Sequence, residues 1–222
     1  ISIPVNAFTS ACANAGTKLC IPQPGTSQRL DALGFHAMYR LAYRNFGDHE
    51  SLVFNHTVAT DGNPNFTTQT GLGWYEIRTP STTPTVYQDG ISADSSASTY
   101  RWMGSMAQDG QGNMALGYSS SNATSKFPSI EVVGRLAGDT LSTMPQTATT
   151  IQAGGGYQFG TSGRWGDYSS MAVDPVDDCT FWYTTEYMPS TSERGWKTRI
   201  ARLRFPGCTG KPQAPTSASA TS

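Results

Sequence analysis

Arg164, Asp167 and Tyr168 fall within the run RWGDYSSM, and Arg101, beside Trp102, stands in the comparable run YRWMGSM. Arginine grips a carboxylate through paired hydrogen bonds, and a carboxylate close to a tyrosine can activate its hydroxyl. Together these types could cleave a glycosidic bond in an acidic sugar. The catalytic candidates are therefore Arg101, Arg164, Asp167 and Tyr168, with Glu76 and Glu186 as further carboxylates. Binding without turnover would use His36, Arg101, Trp102, Arg164 and Trp165, of which His36, Arg101 and Arg164 stand just ahead of the first expected strand of each repeat. A plainer role competes with both, because an arginine beside a tryptophan commonly stacks on the ring and bonds to loop carbonyls.

The elements that must position these groups show as a repeat. Ser170-Met171-Ala172-Val173-Asp174, a polar turn and Cys179-Thr180-Phe181-Trp182-Tyr183 match Ser105-Met106-Ala107-Gln108-Asp109, a glycine turn and Met114 to Tyr118. Leu41-Ala42-Tyr43-Arg44 leads through Gly47-Asp48-His49 into Leu52-Val53-Phe54 in the same way. Ala42, Ala107 and Ala172 stand at intervals of 65 residues (107 − 42 and 172 − 107). A unit of that length, rich in Gly, Ser and Thr and free of helical stripes, predicts an all-β fold of antiparallel β-propeller blades. The expected strands are two within 37–58, then 73–78 and 84–88. The second repeat gives 102–109, 113–119, 129–135 and 149–152, and the third gives 168–174, 179–185 and 197–205.

Three four-stranded repeats cannot readily encircle an axis, since propellers use about four to eight blades. The chain is expected to be half of an approximately six-bladed ring, completed by a second copy or by a separate N-terminal half. Residues 1–35 hold a lone strand over Ile1 to Phe8 and a disulfide loop at the surface, residues 36–208 the three blades, and residues 209–222 a Pro/Ser/Thr-rich tail. Asp109 and Asp174 are expected to shape the hairpins by accepting turn amides.

Composition narrows the partners. With 222 residues, 14% charged and a formal balance of −1, nothing suggests nucleic acid or an anionic membrane. No run approaches the roughly 18 apolar residues of a spanning helix, and no signal sequence stands at Ile1, so a mature or excised form is expected. Four cysteines fall as two local pairs, Cys12 with Cys20 and Cys179 with Cys208, which predicts two disulfides and a secreted or cell-surface protein. No metal or other cofactor is expected. Calcium at Asp177-Asp178 or Asp61-Gly62-Asn63 is the weak exception, and Asp48-His49-Glu50 reads as a solvated turn. Gly154-Gly155-Gly156 precedes strand-type sequence, which argues against a phosphate cradle. Sequons stand at Asn55, Asn65 and Asn122.

The runs CIPQPGTSQRLDALG, MYRLAYRNFGDHESLVFNH, YRWMGSMAQDGQGNMALGYS and RWGDYSSMAVDPVDDCTFWYT resemble the C-terminal part of large secreted bacterial proteins with a sialidase-like (BNR-type) β-propeller. The similarity covers most of residues 20–208, and RWGDYSSM is its most specific part. In that family a longer N-terminal portion of the propeller precedes the segment, which implies the half ring. The resemblance implies fold and secretion but no particular reaction. The Ser-x-Asp-x-Gly-x-Thr-Trp box of true sialidases is not met, since Gln111 stands where its glycine belongs.

The reading is a secreted binding or assembly module, an oligomer, whose ligand is a glycan or another extracellular polymer, stacked in part on Trp74, Trp102 or Trp196. A sialidase-like glycoside hydrolase completed by the other half ring is one alternative, and a structural subunit of an extracellular assembly is another.

Overall fold

The computed structural model describes residues 2–12, 18–62, 69–79 and 83–210. Within them the chain is all-β, with four antiparallel sheets and no helix. Strands β1 (Leu19–Ile21) and β2 (Leu30–Asp31) form a small pair. The first large sheet takes β3 (Ala42–Asn45), β4 (Glu50–Ala59), β5 (Thr70–Thr79) and β6 (Thr85–Ser92) in chain order. The second takes β7 (Tyr100–Gln108), β8 (Met114–Ser121), β9 (Ser129–Arg135) and β10 (Thr149–Gln152). The third has three strands, β11 (Ser170–Val173), β12 (Phe181–Tyr187) and β13 (Lys197–Leu203).

Each repeat thus becomes one meander, and the turns form for the reason expected of their aspartates. Asp109 accepts the N–H of Gln111 and of Asn113, each at 2.9 Å, and Gly112 takes the positive φ of +86° that the tight return requires. Asp174 accepts the N–H of Val176 at 2.9 Å and the Trp182 indole N–H at 3.0 Å.

The second sheet lies between the other two, and β7 and β8 are buried along their whole length. Its Met106, Met114, Leu116, Tyr118 and Val133 pack on Val53, Leu72 and Trp74 of the first sheet. Its Ala107, Ala115 and Ile130 pack on Met171, Phe181 and Tyr183 of the third. Period-two alternation explains the split, because neighbouring residues on a strand face opposite sides. Near the starts of the first strands the Ser105 hydroxyl ties all three repeats: it donates to the Tyr39 carbonyl at 2.9 Å and accepts the Met171 N–H at 2.8 Å.

Two expectations about the N-terminal region are corrected. Residues 2–9 form no strand, and Ser10 makes only an isolated bridge to Val58. Nor does the Cys12–Cys20 disulfide sit at the surface. Cys12 and Cys20 are buried with Ile21, Leu30, Trp102, Trp165 and Met188, so the bond staples the β1–β2 cover over the tryptophans. The Asn65 sequon, Ile1 and most of the tail lie outside the described residues, and Asn55 is fully buried.

The glycine triplet has a packing role. A Cβ on Gly154, Gly155 or Gly156 would come within 2.4 Å of the backbone at Pro128, Pro189 or Thr191, so this crossing needs glycine for close approach.

Two ties hold the hairpin ends. Arg44 in β3 makes a bidentate pair with Asp178, at 2.5 and 3.0 Å, joining first and third repeats. Replacing Arg44 with Met should cost about 3 kcal/mol in urea unfolding, since it strands a largely buried carboxylate. The Cys179–Cys208 bond closes a separation of 29 residues, and the double Ala variant should lose about 3–4 kcal/mol. Unchanged urea midpoints would disprove both assignments.

Candidate functional site

The loop before β11 is built around one buried side chain. Trp165 is 1% exposed; its indole N–H donates to the Ser119 hydroxyl at 3.0 Å, and its ring tilts against Trp102 with centroids 6.0 Å apart. Gly166 then takes a left-handed φ of +53°, and its N–H donates to a Glu186 carboxylate oxygen at 3.0 Å. The Ser169 hydroxyl closes the loop by donating to the Met103 carbonyl at 3.0 Å. With the tryptophan fixed inward, its neighbours must face out. Arg164 pairs with Asp167, and Tyr168 stands 88% exposed.

Two clefts meet on this loop. One, of about 310 Å³, is lined by Arg164, Asp167, Tyr168, Glu186 and the half-exposed Trp196. The other, of about 470 Å³, is lined by Leu33, His36, Tyr39 and again Asp167 and Tyr168. The structure therefore brings together His36, Arg164, Asp167 and Tyr168 with two further residues that the sequence singled out, Glu186 and Trp196, and adds Tyr39.

Glu186 is the carboxyl of this cleft that burial shifts away from the behaviour of an exposed group. Burial pushes its pKa above the ordinary glutamate value, the Gly166 N–H opposes this, and the nearby Asp167 charge reinforces it. A part-buried carboxyl near one held by an arginine is the type of pair that can divide proton donation from charge stabilisation.

The remaining candidates are placed elsewhere. Trp102 is fully buried, as is Trp74, and Trp165 is the loop's anchor, so none of the three can stack on a ligand. Arg101 is 7% exposed and lines neither cleft. It donates to the Ser92 hydroxyl at 3.0 Å, lies 3.7 Å from Asp94 and covers the Tyr118 ring at 4.9 Å. The role is structural, but with Tyr118 as the ring and a hydroxyl and a carboxylate as polar partners in place of the expected tryptophan and loop carbonyls. Arg101 and Arg164 consequently form no arginine cluster for a substrate carboxylate.

At the calcium candidates, Asp177 accepts the Thr180 hydroxyl at 2.6 Å and the N–H groups of Cys179 and Thr180, which hold its carboxyl down to about 2. Asp178 is committed to Arg44. Asn63 lies outside the described residues. Among the described residues no group of three or more His, Cys, Asp or Glu side chains is arranged to hold a metal.

The sequence signal for Trp196 was its place just before β13. For Glu186 it was the alternation that sets it on the same face of β12 as Trp182 and Thr184. Neither signal shows which loop will cover that face.

A scan against protein-family models and a search of curated proteins find no match. Among solved structures, the chain is similar to an α-L-arabinofuranosidase from Fusarium graminearum in complex with an iminosugar inhibitor, at 9% identity and a TM-score of 0.34 over 75% of this chain. The match takes in 57% of that enzyme, so this chain spans little more than half its length. The site is therefore read from its own geometry. The two disulfides are of the kind found in extracellular proteins, and no helix among the described residues is long and apolar enough to cross a membrane.

A raised carboxyl pKa makes the folded state the better proton binder. Glu186 should therefore lower stability as pH rises from about 4.5, its unperturbed value, through its folded pKa. Glu186→Gln keeps an acceptor for the Gly166 N–H and should flatten that part of the stability profile. Superimposable profiles from thermal unfolding of the two proteins would refute the assignment.

Proposed function

We propose that the protein is a three-bladed half of a sialidase-like β-propeller, secreted or held at the cell surface, and that the Trp165-anchored loop carries a glycan-binding cleft. The observation that carries the binding role is the loop itself. A buried tryptophan holds a rigid turn that sets Tyr168 and, across the cleft, Trp196 in solvent beside an Arg164–Asp167 pair and Glu186. Exposed aromatic faces stack on sugar rings while fixed polar groups bond the hydroxyls, and such groups are concentrated here.

The ring reading is supported by equivalent positions in the repeats. Leu41, Met106 and Met171 stand 65 residues apart (106 − 41 and 171 − 106); Met106 and Met171 face Leu116 and Tyr183 across the first strand pair, and Leu41 immediately precedes Ala42, which pairs with Val53. Met106 and Met171 are fully buried under the neighbouring sheet, whereas Leu41 is 55% exposed. Leu41, Leu52, Phe54 and Ile77 line an apolar groove of about 680 Å³. On the opposite face of the repeat, Val53 and Ala115 are covered, while Trp182, paired with Ala172, is 40% exposed with Ile200 beside it at 70%. The two uncovered surfaces are thus the two halves of the interface that occurs twice inside the chain. Blades built on the same register, from a second copy or from a separate N-terminal half, would fit them.

The pairing of Glu186 with Asp167 favours one second reading, a glycoside hydrolase whose cleft the missing blades complete. A purely structural subunit would use the open faces and leave the cleft idle.

On a glycan array the protein should retain a ligand, and Tyr168→Ala or Trp196→Ala should each weaken it by about tenfold in calorimetry, the loss of roughly one stacking contact. An array with no retained glycan would leave only the structural subunit, and turnover of a retained glycan would favour the hydrolase. Native mass spectrometry should show more than one chain, reduced to single chains by Leu41→Asp or Ile200→Asp. A single-chain species at all concentrations would exclude a second copy. If an added N-terminal half then also failed to associate, the ring would fall.

A further inference from the structure

At the other end of the sheets, where β3 and β7 turn into β4 and β8, a small cavity of about 110 Å³ lies between the first and second repeats. His49, Arg78, Tyr87, Gln108, Gln111 and Arg135 line it. We propose that this cavity is a binding site for a compact oxyanion, a carboxylate, phosphate or sulfate group, gripped by Arg78 and Arg135. The site is independent of the cleft described above and of ring closure.

Arg135 carries the inference. It is 2% exposed, donates once, to the Asp139 carbonyl at 2.8 Å, and its Nε is buried with no hydrogen-bond partner. Buried polar groups are nearly always bonded, and a charged donor left open inside a protein is costly. A second orphan shares the cavity. His49 has Nδ1 against Asp48 at 2.8 Å, which leaves Nε2 buried and unbonded.

The groups around the cavity leave the Arg135 donor open. Glu76 is the fully buried carboxylate of this seam, and its oxygens accept from Arg78 at 2.6 Å and Gln88 at 2.5 Å, while the single Ser51 hydroxyl proton goes to Gln108 at 2.8 Å. Asp139 accepts the Leu136 N–H at 2.7 Å and the Gln146 amide at 2.9 Å. Asp48 is 83% exposed, and Glu50 bonds Tyr43 at 2.8 Å and Thr79 at 2.6 Å. Arg78 lies flat on the Tyr87 ring at 3.4 Å with its Nε committed to Glu76, so only the outer edge of its guanidinium remains for the cavity. Burial lowers the Arg135 pKa; Glu76, Asp139 and Tyr87 oppose this, and the Arg78 charge adds to it. Glu76 and Asp139 balance the two guanidinium charges, but the buried Nε of Arg135 remains a charged donor without an acceptor, and it is this open donor that an oxyanion would fill. The planar guanidinium forks suit the paired oxygens of an oxyanion. A volume near 110 Å³ admits the anionic head alone, whether free or carried by a larger molecule.

The test is isothermal calorimetry and thermal unfolding of the whole chain with sodium sulfate, phosphate or acetate, each against sodium chloride at matched ionic strength. At least one of the three should bind saturably at one per chain. Arg78→Gln, at the partly exposed rim, should weaken it at least tenfold, and Arg135→Met should abolish it. Arg164→Gln, in the distant cleft, should leave it unchanged. Arg78→Gln carries the test if Arg135→Met fails to fold. Saturation by acetate identifies a carboxylate site, and by sulfate or phosphate a tetrahedral one. No saturable heat from any of the three, or binding indifferent to Arg78→Gln, would overturn the site.

Discussion

The closeness of the second sheet to its two neighbours is the constraint from which the remaining features follow. At Gly117 an added Cβ would lie 2.5 Å from the Tyr183 ring, so the second and third sheets approach as far as a missing side chain allows. Small residues facing large ones, Ala107 and Ala115 against Met171 and Phe181, keep that spacing along the seam. At such a distance little water can enter, and the polar atoms of the seam must find one another. Ser105, bridging Tyr39 to Met171, is the resulting bond that crosses three repeats.

From this frame the two ends of the sheets acquire different chemistry. Before the first strands, the chain enters through loops that anchor on the packed interior: Trp165 and Trp102 meet beneath the β1–β2 cover, and what lies between anchors is pushed into solvent. At the other end come tight turns whose aspartates Asp109 and Asp174 accept turn amides, and strand arginines that face inward, Arg44 of β3 and Arg135 at the end of β9. Arg44 finds Asp178, whereas Arg135 finds only part of what its five donors require. An exposed aromatic cleft at one end and a closed basic cavity at the other are products of the same packing.

The open outer faces show the same rule by its interruption. Leu41 and Trp182 are large apolar residues left exposed on the two outer faces, Trp182 directly opposite the exposed Arg202 of β13.

Strand order, hairpin turns and the pairing of cysteines were legible in the residues, since each depends on chemistry local to the chain: alternation with a period of two, aspartates that accept turn amides, and cysteines close in sequence. The interval from Ala42 to Ala107 to Ala172 also made the equivalence of the sheets readable. What could not be read was which member of a pair such as Arg164-Trp165 turns inward, because that depends on a surface supplied from far away. Ser119 and Trp102 draw Trp165 into the interior, and Ser92, Asp94 and Tyr118 do the same for Arg101. The sequence by itself thus determined the elements and their repetition, while tertiary packing alone decided which charges remain available for chemistry, because burial is a property of neighbours and not of the residue.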